Sequence, residues 1–321
     1  MPENNPPRPA ILFAHPTFDL AGTAGRIGLF PGVAQVRDRE ALIRRLPETE
    51  VLVVSSLWQD GMLDLAPRLR FIQTISVGFD FLDLGKVAAR GVRVANVSGL
   101  NAMAVAQHAM AQILALSRRL PELILAQARG EWRKPSQRAD EITDKEVVII
   151  GTGSVGQKLS GLLGAFGCTV TGIRRQASPP VAGFSRILDR EALDRLLPEA
   201  DIVVIACPLT EETRHIIDAA ALERMAPQAM LVNVGRGGCL DQAAAGAALA
   251  AGRIAAAALD VFEVEPLPQD SPLYRLPNVL ITPHMAGDSA EYETNVLKLL
   301  DENLARLADP AGGPLRNELT A

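Results

Sequence analysis

The chain has 321 residues, 48% of them hydrophobic and 21% charged, enough for two domains with sizeable cores. A net charge of −5 offers no general attraction to nucleic acid or to an anionic membrane. Cys168, Cys207 and Cys239 form an odd set without metal-ligand spacing, so no metal site is expected, and reduced, mostly structural thiols are.

The first ten residues, MPENNPPRPA, lack the basic region and apolar core of a signal peptide. The apolar run at 11–14 is the first expected strand, and runs at 51–56, 71–76 and 92–96 continue that series. The segment 102–120 predicts one long helix, with Asn101 as its N-cap and Arg118 and Arg119 suited to its C-terminal end. Residues 130–142 are polar and irregular, with Trp132 as the sole aromatic side chain, and read as a linker, an arm or a dimer contact.

A second strand series follows at 146–151, 168–173, 201–208, 230–235, 255–262 and 278–284, with a helix expected from Val155 to Phe166. The most apolar stretch, Ala243 to Phe262, is broken by Gly246, Gly252 and Arg253, and so predicts no membrane span. A soluble, cytoplasmic chain is expected. The last helix, 291–308, places Val296, Leu300, Leu304 and Leu307 on one face. Continuous apolar strands alternating with helices imply parallel sheets covered on both faces, and two series imply two doubly wound α/β domains.

Gly151, Gly153 and Gly156 follow a strand and open a helix. The first permits a tight turn, the second lets a pyrophosphate approach the backbone, and the third allows close helix–strand packing. An acid that holds the ribose 2′-hydroxyl of NAD is expected about 20 residues on, at the end of the next strand. Arg174 stands there instead, followed by Arg175, and no Asp or Glu occurs between Gly156 and Asp189. A guanidinium can bind the 2′-phosphate of NADP bidentately, so NADP(H) is the expected cofactor and NAD(H) the alternative. The bland alternative is a pair of solvated arginines beside an NAD site lacking its acid.

Ligands in open α/β sheets sit outside the carboxyl ends of the strands. Those positions in the second series hold Arg236, Asp260, Glu265 and His284. An arginine can hold a carboxylate or polarise a carbonyl, a histidine can exchange a proton near neutral pH, and a neighbouring carboxylate stabilises the imidazolium. Beside a nicotinamide this set suits reduction of a 2-oxo acid. His108, in an apolar helix, reads as structural or supporting, His15 as structural, and His215 as a surface residue at a helix start. Leu57, Trp58, Met62 and Phe79 are either a substrate-side-chain pocket or domain core, and both readings stay open.

GTGSVG, CPLTEETRHII, NVGRGG, LDVFEVEP and TPHMAG occur in the order and approximate spacing of the D-isomer-specific 2-hydroxyacid dehydrogenases, which the chain resembles from about residue 50 to 300. SVGFDFLD (76–83) and NVSGLNAMAVAQHA (96–109) also look like that family's segments. The resemblance implies a Rossmann-type cofactor domain, 99–287, inserted into a flavodoxin-like substrate domain, 1–98 and 288–321. It implies that Arg236 orients the substrate and that His284, paired with Glu265, is the acid/base. Asp260 would hold the nicotinamide carboxamide, and Ser154 and Val155 the pyrophosphate. Cys207 would lie beside the adenosine half, and Val234, Gly235, Ala286 and Gly287 near the nicotinamide. Val77 and Gly78 match a loop whose amides meet the substrate carboxylate.

A homodimer is also implied. Arg174 is similar to the NADP-preferring glyoxylate and hydroxypyruvate reductase-like members, so a small 2-oxo acid is the expected substrate. The chain ends soon after the returning helix, which makes phosphoglycerate the less expected substrate. Formate and phosphite dehydrogenation, and a corepressor-like dinucleotide sensor, are the remaining alternatives.

Overall fold

The computed structural model describes residues 9–79, 81–177, 181–309 and 313–320. Contacts divide the chain into Met1–Asn101 with Ser289–Ala321, and Ala102–Asp288. The sequence reading puts these divisions near 99 and 288.

The first unit opens with β1 (Ile11–Ala14), α1 (Leu20–Arg26), β2 (Ala34–Val36), α2 (Arg39–Arg45), β3 (Val51–Val54), β4 (Phe71–Thr74), α3 (Leu84–Ala89) and β5 (Arg93–Ala95). The strands form one parallel sheet in the order β2-β1-β3-β4-β5, the flavodoxin-like arrangement. Alternate residues serve opposite faces: Leu12, Leu52, Ile72 and Val94 enter one core, and Phe13, Val51, Val53 and Phe71 the other.

The second unit contains α4 (Ala102–Ser117), α5 (Leu120–Ala128), β6 (Glu146–Ile150), α6 (Ser154–Ala165), β7 (Thr169–Arg174), β8 (Arg186–Asp189), α7 (Leu193–Leu196) and β9 (Ile202–Ile205). It continues with α8 (Ala219–Arg224), β10 (Met230–Asn233), α9 (Gln242–Ala250), β11 (Ala256–Leu259) and β12 (Val279–Ile281). Its seven strands are parallel in the order β12-β11-β10-β9-β6-β7-β8, which is the Rossmann order with one strand added. Both units are therefore parallel-sheet α/β folds, as the alternation of apolar runs and helices implies.

α10 (Tyr292–Ala308) returns to the first unit, where Val296, Leu297, Leu299 and Leu300 are buried against Phe13, Val51 and Phe71. Leu304 and Leu307 complete the expected face, partly buried. The segment beyond is stitched to the sheet. Asn303 Nδ2 donates to Gln73 Oε1 at 3.0 Å, Leu319 N to Val94 O at 2.8 Å, and Arg93 meets Glu318 through two bonds of 2.6 Å.

Three sequence expectations need correction. The segment 102–120 is not one helix. Pro121 has no N–H to donate to Ser117 O, which accepts from Asp140 N at 2.8 Å instead. The chain turns through Arg119, at a left-handed φ of 58°, and Pro121 sits in the first turn of α5. β2 and β8 lie outside the two expected strand series because both are short edge strands without a continuous apolar run. His215 does not start a helix; it lies in a turn with φ 46°. Among the described residues no helix is long and apolar enough to cross a membrane.

Candidate active site

The glycine turn joins β6 to α6. Gly151 has φ 111°, and a Cβ there would stand 2.6 Å from Ala206 O, just past β9. A Cβ on Gly156 would collide with Gly151 O, so α6 can approach the strand only with glycine here. Gly153 differs from both, because a Cβ at that position would meet nothing within 4 Å. It is the N-cap of α6 and offers no side-chain cap, whereas Asp38, Asp218 and Asp241 fill the first turns of α2, α8 and α9 with their own carboxylates. The N–H groups beginning at Ser154 and Val155 thus lie in a first turn that no side chain caps, at the favourable end of the helix dipole. This turn fits the pyrophosphate of a dinucleotide.

β7 ends on Arg174, with Arg174 and Arg175 both exposed. The first acid after the glycine turn, Asp189, lies beside Arg174 in register on β8, where its carboxylate accepts from Ala192 N at 3.2 Å. The acid missing from the strand end has therefore a neighbour with a different task, capping the turn that follows β8.

The carboxyl ends of β10, β11 and β12 are adjacent. Three residues past β12 stands His284, at φ 50°, its N–H donating to Asp260 O at 2.8 Å. Its Nδ1 lies 2.6 Å from Glu265 Oε2, and Glu265 Oε1 accepts from Phe262 N at 2.9 Å. The carboxylate thus fixes one ring nitrogen and leaves Nε2 as the one able to exchange a proton. The side chains are 52% and 34% exposed, so the pair is reachable from solvent.

Arg236 is exposed on the loop after β10, with Nη1 donating to Gly235 O at 2.7 Å. A Cβ on the next residue, Gly237, would overlap the Phe262 carbonyl, so this loop lies directly on the segment leading to Glu265. His215 Nε2 to Glu263 Oε1, 3.0 Å, and His215 N to Gly238 O, 2.9 Å, clamp the same two segments together. Val234 is buried, and a Cβ on Gly235 would be 2.8 Å from Cys207 O. Cys207 is also buried, in the loop after β9.

Asp260 is only 1% exposed. Its Oδ1 accepts from Thr282 Oγ1 at 2.6 Å and Met285 N at 3.0 Å, and its Oδ2 from Ala286 N at 3.0 Å. The carboxylate thereby shapes the loop that carries His284 and continues to Ala286 and Gly287. Thr282 Oγ1 in turn accepts from Gln112 Nε2 at 3.0 Å and meets His108 Nε2 at 3.0 Å, both from α4. With its one hydrogen spent on Asp260, the Thr282 hydroxyl needs His108 Nε2 as a donor, which fixes the tautomer. His108 thus supports the site; Thr282 opens the TPHMAG motif and Gln112 lies on α4, and nothing in the sequence marks either as part of the network around Asp260.

In the first unit, Val77 and Gly78 form part of the bend after β4. Asn96 Nδ2 donates to Val77 O at 2.9 Å, and Ser76 Oγ to Gly78 O at 2.7 Å. Trp58 and Met62 are 4% and 3% exposed and belong to the core, with Leu57 packed against it. Phe79 is half-buried. His15 Nδ1 accepts from Phe18 N at 2.9 Å and its ring stacks on Phe18, while burial lowers its pKa. It is a structural histidine that ties the turn after β1.

Residues 110–286 match the family model of the D-isomer specific 2-hydroxyacid dehydrogenase NAD binding domain, more than half of the chain. The chain belongs to this family. A D-3-phosphoglycerate dehydrogenase of Archaeoglobus fulgidus is 33% identical over 296 residues, covering 90% of this chain and 55% of that relative. The chain thus spans about half the length of this and other curated phosphoglycerate dehydrogenases it matches. A glyoxylate reductase of Thermofilum pendens is 34% identical over 272 residues, covering 83% of this chain and 80% of its own. Among solved structures, an NADPH-dependent glyoxylate/hydroxypyruvate reductase from Sinorhizobium meliloti in complex with citrate is 25% identical with a TM-score of 0.81, over 97% of this chain and 98% of its own. The dehydrogenase family accounts for the Rossmann order and for a dinucleotide-binding turn in the second unit.

Proposed function

We propose that this dehydrogenase reduces a small 2-oxo acid, such as glyoxylate or hydroxypyruvate, to the D-2-hydroxy acid with NADP(H) in preference to NAD(H). The observation that carries the reading is the His284–Glu265 pair at 2.6 Å, on strand ends adjacent to the one bearing Arg236. A bound nicotinamide supplies the hydride. His284 Nε2 donates the proton to the carbonyl oxygen, and Glu265 stabilises the imidazolium before that transfer. Arg236 orients the substrate carboxylate and stabilises charge developing on the oxygen. Ser154 and Val155 hold the pyrophosphate with their N–H groups, aided by the open approach at Gly153, and Gly151 and Gly156 keep the turn tight. Asp260 Oδ2, with one protein donor in place, has acceptor capacity left for the nicotinamide carboxamide. Val234, Gly235, Ala286 and Gly287 border the nicotinamide, and Cys207 the adenosine half.

Arg174 and Arg175 favour the 2′-phosphate, since an acid at that strand end would repel it. The similarity to phosphoglycerate dehydrogenases supports a second reading in which the same residues act on phosphoglycerate. A homodimer formed through the second unit would cover Ile124, Leu125 and Trp132, which are 61%, 58% and 104% exposed.

Steady-state kinetics with NADPH and NADH against glyoxylate, hydroxypyruvate, pyruvate, phenylpyruvate and 3-phosphoglycerate test the reading. Higher kcat/KM for NADPH with a short 2-oxo acid is expected. Turnover confined to 3-phosphoglycerate would transfer the assignment to the second reading, and no turnover with any substrate would overturn both.

A further inference from the structure

Cys207 and Cys239 come from different loops of the second unit, one following β9 and the other closing the 3-10 turn after Arg236. Their Sγ atoms are 4.0 Å apart, both residues are free thiols, and they are 8% and 0% exposed. Cys168 stands apart from them, its Sγ donating to Ile142 O at 3.1 Å. We propose that Cys207 and Cys239 form a dithiol site that hydroperoxides convert reversibly to a disulfide, and that closing it switches off the reaction assigned above. The second half of this proposal rests on Arg236 being the substrate-orienting residue; the first half does not.

The two sulfurs have different roles. Cys207 donates its thiol hydrogen to Cys239, which keeps Cys207 protonated and raises its pKa, with burial acting in the same direction. Cys239 is lowered by accepting that hydrogen bond, against the upward push of burial, and Thr213 and the Arg236 guanidinium add to the lowering. The accepting sulfur, whose neighbour holds its own proton in the bond between them, is the one placed to act as nucleophile. Its thiolate attacks one peroxide oxygen, the O–O bond breaks, and Cys239 sulfenic acid and hydroxide result. Cys207 then attacks the Cys239 sulfur, the S–O bond breaks, and water leaves with the Cys207 proton. Two thiols lose two electrons in all, and hydrogen peroxide becomes two waters.

The site is also placed to affect catalysis. A disulfide needs its sulfurs at about 2.05 Å, so each must move inward. Cys239 N donates to Arg236 O at 3.1 Å, and the Cys207 backbone lies under Gly235. Drawing the sulfurs together pulls on both sides of the 234–236 stretch.

The test is peptide mapping of the purified full chain after hydrogen peroxide treatment. A cross-linked pair of peptides carrying Cys207 and Cys239, lighter by two hydrogens and reopened by dithiothreitol, is expected, with Cys168 still open to alkylation. Turnover should fall about 10- to 100-fold and return with dithiothreitol. Cys239→Ser should keep basal turnover and resist peroxide, and Cys168→Ser should behave as the unaltered chain does. Separate sulfinic acids on Cys207 or Cys239 without the link, or oxidation confined to Cys168, would overturn the site. A link that leaves turnover unchanged would overturn the switch. If the untreated protein turns over no 2-oxo acid, the mapped link still decides the dithiol claim, and the failure belongs to the assigned reaction.

Discussion

Thr282→Val removes one hydroxyl while keeping the shape of the side chain, and the hydrogen bonds give the expected cost. Asp260, at 1% exposure, loses one of its donors, and a hydrogen bond to a buried charge is worth about 1.5–3 kcal/mol. Gln112, at 3% exposure, already has an unpartnered Oε1 and would lose the partner of its Nε2 as well, at about 1–3 kcal/mol. His108 is 19% exposed in its side chain and can turn to water, so it adds little. The total is about 2.5–6 kcal/mol. Thr282→Ser keeps the hydroxyl and loses one methyl group, at about 1 kcal/mol. Urea unfolding followed by far-UV circular dichroism measures both, and kcat should fall in the valine variant because His284 shares the loop that Asp260 holds. Equal losses for valine and serine would refute the reasoning, since the hydroxyl would then not be the hub of the network.

His284→Ala should lower kcat by about 10²- to 10⁴-fold in steady-state assays, the range for loss of a general acid, and near-normal turnover would remove it from the chemistry. Arg174→Asp should raise the Kd for NADPH about 10- to 100-fold by fluorescence titration and leave NADH within about threefold; equal loss of both means the 2′-phosphate is not read there. Gly153 has φ −73°, which alanine accepts, so Gly153→Ala should keep the unfolding midpoint yet weaken dinucleotide binding. Gly156→Ala should destabilise by about 1–3 kcal/mol through its clash with Gly151 O, and the reverse ranking of the two glycines would contradict the turn geometry. The Arg93 guanidinium holds Glu318 below the usual carboxylate range. That contribution is therefore full above about pH 4.3 and disappears as pH falls through the lowered value. Glu318→Gln should be less stable than the unaltered chain near neutrality and equal to it in strong acid, by urea midpoints.

Much of the site could be read from the chain because its determinants are local. A turn needing φ 111° at Gly151 and a clash-free Gly156 leaves glycines at fixed spacing, and the strand-end rule picks out Arg236, Glu265 and His284 by chemistry alone. The His108–Thr282–Gln112 arrangement is different, for it joins residues about 170 apart through one hydroxyl and writes no pattern. Trp58 and Met62 sit where pocket and core look the same in one dimension, and only burial separates them. The unbroken apolar content of 102–120 suggests one helix, but the missing N–H of Pro121 decides where that helix ends.

The discontinuity of the first unit has a consequence for synthesis. Phe13, Val51 and Phe71 leave the ribosome early, but the helix that covers them, with Val296 and Leu300, is made about 225 to 290 residues later. The second unit is contiguous and can be completed while that helix is still untranslated. A nascent chain therefore carries one finished domain and one apolar sheet face that α1, through Leu20 and Ala24, covers only in part. Shielding that face until α10 arrives is where a chaperone has most to contribute.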